Sequence, residues 1–132
     1  MISTADSKRT EALLAIGFVK EHRAGIRLGG FYHPALPIGV GFASGGYFDG
    51  HADSQRVRVV AFPEGQVLLA ATEDLIADRP GQWIASVRSD ADLLLQARTL
   101  IQRAENIAED YLDQRIRQDT AGALTLAEFL SL

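Results

Sequence analysis

Arg56 and Arg58 stand two positions apart. On an extended strand that spacing puts both side chains on one face. Two guanidinium groups side by side suit a phosphate or carboxylate, which each can grip through paired N–H donors. Just upstream, Asp49, His51 and Asp53 alternate, and imidazole nitrogen with carboxylate oxygen makes a divalent-metal donor set. The competing reading of that trio is a solvated hairpin tip, because Asp49-Gly50 is a strong two-residue turn signal whose aspartate bonds to local amides. No second histidine lies close by; His22 and His33 could join only through folding. Glu105, Glu109 and Asp113 read as a solvated helix face, since the Glu-x-x-His pairing of helical di-metal sites is absent.

Nucleophiles fare no better. Gly39-Val40-Gly41 opens like a dinucleotide-binding loop, but Ser44 stands where its third glycine belongs and no helix follows. Phe42-Ala43-Ser44-Gly45-Gly46 shares only Ser44 and Gly46 with a nucleophile elbow. The chain has no cysteine, hence no thiolate nucleophile, disulfide or thiolate metal site. The expectation is a protein without enzymatic activity and without a cofactor.

The elements that would position the arginines centre on a bare strand face. Gly39, Gly41, Ala43 and Gly45 alternate with Ile38, Val40 and Phe42, so one side is apolar and the other lets a backbone or ligand approach closely. With Asp49-Gly50 as the turn, Phe48 faces His51, Phe42 faces Val57 and Val40 faces Val59. Arg56 and Arg58 then lie opposite Ala43 and Gly41. The ligand surface expected from this register is Arg56, Arg58, Gly41, Ala43 and Gly45. The competing occupant of that face is a helix whose Ala97, Ala104 and Ala108 meet the glycines.

Around it the pattern predicts a helix from Thr4 to His22, stopped by Gly25, and a short strand near Ile26 to Tyr32. A second hairpin at Pro63-Glu64-Gly65-Gln66 joins Arg56–Phe62 to Val67–Thr72. It puts Val60, Phe62, Val67 and Leu69 on one face and Val59, Ala61, Leu68 and Ala70 on the other. A helical turn over Glu73 to Asp78, a turn at Arg79-Pro80-Gly81 and a strand from Trp83 to Arg88 follow. Ser89 then caps a single helix reaching past Arg117, about 40 Å long at 1.5 Å per residue. Leu93, Ala97, Leu100, Ala104, Ile107 and Tyr111 form its apolar stripe. Thr125 and Glu128 make a capping box for a terminal helix carrying Leu126, Phe129 and Leu130.

The expected fold is α+β: an antiparallel four- to five-stranded sheet of meander hairpins, flanked by an N-terminal helix and a long C-terminal helix. Residues 1–132 read as one domain, and 47% hydrophobic with 23% charged residues is ordinary for a globular chain. The net charge of −4 argues against nucleic acid. Asp6, Lys8, Arg9 and Glu11 break any signal-peptide pattern, and no apolar run spans a bilayer, so a cytoplasmic location is expected. In size, acidity and a helix-flanked antiparallel sheet the outline resembles the secretion-chaperone type of dimeric binder, though four strands precede its middle helix. A stripe longer than the sheet can cover points to another chain. The expected function is therefore a protein-binding module, an adaptor, chaperone or inhibitor, and a homodimer with Leu100, Ile107 and Tyr111 near the contact and Leu126, Phe129 and Leu130 either joining that interface or sealing the core. The alternative is a phosphate, small-ligand or metal binder using Arg56, Arg58 and the Asp49-His51-Asp53 tip.

Overall fold

The computed structural model describes residues 4–22, 30–42 and 47–132. Its contacts divide the chain into two units, Met1–Ser44 and Gly45–Leu132. In the first, helix α1 (Thr4–Ala15) leads to strands β1 (Val19–Lys20), β2 (Phe31–Tyr32) and β3 (Gly39–Val40), an antiparallel sheet in that order. Helix α1 stops well before His22. Gly17 takes φ +96°, a left-handed conformation that ends the helix at little cost, and an added Cβ there would sit 3.0 Å from His33 Nε2. The expected stop at Gly25 lies outside the described residues. Phe31 is buried, with the Phe42 ring 5.6 Å away, and the Phe18 ring meets His33 edge-on.

The second unit opens with two 3₁₀ turns, Tyr47–Gly50 and Ser54–Arg56. Strands β4 (Arg58–Phe62) and β5 (Gly65–Leu69) follow, then helices α2 (Thr72–Ala85), α3 (Ala91–Arg103), α4 (Glu109–Asp119) and α5 (Leu126–Ser131). The core is helical. Ile76, Ala77, Pro80 and Trp83 of α2 are buried, at positions that share one helix face, and Leu93, Ala97, Leu112, Ile116, Leu124 and Phe129 pack with them.

Several expectations about the elements are overturned. Among the described residues, the single four- to five-stranded sheet is replaced by two small sheets, one of three strands and one of two; the resemblance that rested on that sheet goes with it. Asp49-Gly50 is not a two-residue hairpin turn: Gly50 does take φ +81°, but it ends a 3₁₀ turn, and β3 pairs with β2 while β4 pairs with β5. Among the described residues, Phe42 and Val57 are not strand partners. Arg79-Pro80-Gly81 is not a turn and Trp83–Arg88 is not a strand, because α2 runs straight through to Ala85. Proline in a helix interior removes one hydrogen bond, and burial of the Ile76–Trp83 face outweighs it. Gly81 has a packing role: a Cβ there would lie 2.9 Å from the Asp119 carbonyl oxygen, so its absence lets the end of α4 close onto α2.

The 40 Å helix is two helices. Ala104 and Ala108 are extended, and the Ala108 N–H donates to Glu73 Oε1 at 2.8 Å. That carboxylate satisfies an amide that an unbroken helix would have bonded internally, and the bend brings α4 back against α2. The helix-starting residue is Asp90, whose side chain accepts from the Asp92 N–H, one position beyond the expected Ser89.

The second hairpin keeps its expected face assignment. Phe62 pairs with Gly65 across Pro63-Glu64, Val60 with Val67 and Val59 with Leu68, so the two sets of apolar side chains lie as the alternation implied.

Candidate functional site

The β4–β5 hairpin exposes apolar side chains on both faces. Phe62 is 55% exposed, Val67 44% and Leu69 44% on one side; Val59 is 58% and Leu68 57% on the other. Apart from Arg58 at one end, neither strand carries a charge. Among the described residues each strand pairs only with the other, so both outer edges present unpaired backbone donors and acceptors.

Arg58 belongs to this hairpin, opposite Leu69, and donates to Thr72 Oγ1 at 3.3 Å. Arg56 does not share its strand. It ends the second 3₁₀ turn, 3.7 Å from Asp53 Oδ2, with its guanidinium 4.2 Å above the Tyr111 ring. Both arginines nevertheless line one cleft with the start of α2 and the end of α3. Gly39 belongs to β3, which pairs with β2 in the first unit. A Cβ added at Gly41 meets nothing within 4 Å, and one at Gly39 meets only the Phe31 carbonyl at 3.7 Å. Ala43 and Gly45 lie outside the described residues.

No family model, curated protein or solved structure matches the chain.

His51 and Asp53 have separate partners. Asp53 accepts from the Gln55 N–H at 2.9 Å, while His51 Nδ1 lies 3.7 Å from Asp119 Oδ1. The Asp49 side chain lies outside the description. Among the described residues no group of three metal-binding side chains is found.

Sequence reasoning missed a buried polar network. Asp74 Oδ1 accepts from Arg115 Nε at 2.6 Å and from the Tyr111 hydroxyl at 2.9 Å. The Tyr111 oxygen in turn accepts the Asp53 N–H, and the other Arg115 nitrogens reach Gln118 and both Asp119 oxygens. Burial, more than any other cause, raises the Tyr111 hydroxyl above its ordinary value, which keeps it a donor. Burial likewise raises the Asp78 carboxyl, against the attraction of Arg79 and with the help of the Asp119 charge. The four-residue steps from Tyr111 to Arg115 to Asp119 were visible in sequence, but their partner Asp74 stands on another helix and has no sequence signal.

The six residues expected at a dimer contact are scattered. Tyr111 and Phe129 are buried inside the second unit, Leu100, Ile107 and Leu126 are half-buried against its core, and Leu130 is 54% exposed. The stripe that suggested a second chain is largely spent on the chain's own core. Among the described residues, no helix is long and apolar enough to cross a membrane.

Proposed function

We propose that the protein is a non-enzymatic protein-binding module that works as a homodimer, with the β4–β5 hairpin as its contact surface. One observation carries this: Val59, Phe62, Val67, Leu68 and Leu69 are exposed on the two faces of a sheet that has two strands among the described residues. A two-stranded hairpin is marginal in water and is stabilised by a third strand or a packed face. Natural sheets blunt open edges with charge, proline or bulges, and between Val59 and Leu69 only Pro63 and Glu64, both in the turn, are of that kind. A second copy supplies what is missing. Identical edge strands related by a twofold axis run antiparallel, so the same groups pair from each side and the assembly closes at two.

The absence of cysteine makes a direct test available. In Leu68→Cys and, separately, Val67→Cys protein, the introduced thiol is the only one. A short bismaleimide should link either variant into covalent dimers at micromolar concentration. Ala127→Cys, exposed on α5, should stay monomeric under the same treatment. Equal linking at all three positions, or none in the hairpin, would refute the assignment.

A further inference from the structure

An open cleft of about 700 Å³ lies between β4, the first turn of α2 and the end of α3, and three arginines line it: Arg56, Arg58 and Arg103. That volume falls in the range of small-molecule clefts, about 300–1,000 Å³. Gathering three like charges costs energy unless something of opposite sign occupies the space between them. The protein's own carboxylates answer poorly. Of the two acids in the lining, Glu73 already accepts the Ala108 N–H and Glu105 is exposed. Arg56 is held by Asp53 and the Tyr111 ring, but Arg58 makes one bond to the neutral Thr72 hydroxyl, and Arg103 makes no hydrogen bond or ion pair with a described residue. The α2 N-terminus in the same wall is not capped by a side chain.

We infer that this cleft binds a phosphorylated small molecule, its phosphate held by Arg58 and Arg103 with Arg56 behind them. A phosphate monoester offers three terminal oxygens, a better match to three guanidinium forks than the two of a carboxylate. Leu100 and Ala104 also line the cleft and offer apolar surface to the rest of the ligand, and the Asn106 amide offers it both a donor and an acceptor. The site is complete within one chain and does not depend on the hairpin contact.

Titration calorimetry at fixed ionic strength, with phenyl phosphate as the probe, tests this. Saturable binding at one site per chain is expected, with benzoate bound more weakly. Arg58→Ala and Arg103→Ala should each weaken phenyl phosphate by about tenfold or more, as the loss of a charge-assisted hydrogen bond does. Arg98→Ala, outside the lining, should leave it unchanged. Arg103 is exposed and unbonded to described residues, so its replacement should leave the melting temperature unaltered and decides the matter if Arg58→Ala folds poorly. Absence of saturable binding, benzoate binding as tightly, or an equal loss in Arg98→Ala would overturn the site. Each result reads the same on a monomer or a dimer.

Discussion

Asp74 is 1% exposed and Arg115 is fully buried, so neither can turn to water if the other is removed. Taking one partner from a buried ion pair costs about 3–5 kcal/mol, because an uncompensated charge stays behind. Arg115→Ala should lose about that much in urea denaturation, and Asp74→Leu combined with Arg115→Met should recover a large part of it. A double variant no more stable than Arg115→Ala would show that the network stabilises by more than mutual compensation. Gly81 gives a prediction of opposite sign to propensity. Alanine for glycine inside a helix ordinarily gains about 1 kcal/mol, yet here the new Cβ would stand 2.9 Å from the Asp119 carbonyl oxygen, a backbone atom that cannot swing away. Gly81→Ala should therefore melt at a lower temperature than the natural protein; a higher one would mean that α4 does not approach α2 so closely.

Helix α5 is fastened by carboxylates. Asp113 accepts from Arg117 and from the Leu126 N–H, and Glu128 from the Thr125 N–H in a complete capping box. The Arg117 bond first and the Leu126 amide second hold Asp113 below its ordinary value; bonds from the Thr125 backbone and side chain do the same for Glu128. For acids depressed in the folded state, the stabilisation is present above the ordinary carboxylate range and is lost as pH falls through the depressed values. Phe129 ring resonances should therefore shift toward solvent-exposed positions on acidification, and less so in Asp113→Asn with Glu128→Gln. Asp78, raised by burial, acts with the opposite sign: its contribution weakens as pH rises through its raised value. A local probe on α5 is for that reason more telling than a global melt. The capping box was legible because its two residues are local and three apart. So were the faces of β4 and β5, which follow from alternation alone. The course of α2 was hidden by Pro80-Gly81, whose turn preference is local while the burial of Ile76, Ala77, Pro80 and Trp83 is tertiary. Their spacing of one, three and three was the available signal. The break after Arg103 had none: Ala104-Glu105-Asn106-Ile107-Ala108 contains neither glycine nor proline, and the Glu73 bond that holds it open comes from residues far away in sequence. Asp49-Gly50 misled because the positive φ it favours serves a 3₁₀ turn as well as a hairpin.

At the scale of the whole molecule, the helical core of the second unit accounts for most of the apolar stripe that first suggested a partner, and the surplus has moved to β4 and β5. A dimer joined there should be stabilised by apolar burial and by new strand pairing, and so should respond little to added salt. The most direct measurement is the mass in solution, by light scattering after size exclusion at tens of micromolar chain. The natural protein should elute with the mass of two chains and Leu68→Asp with the mass of one, its helical circular dichroism unchanged because the core does not include that residue. A natural protein with the mass of one chain, or a Leu68→Asp variant that remains a dimer, would contradict the hairpin as the contact surface.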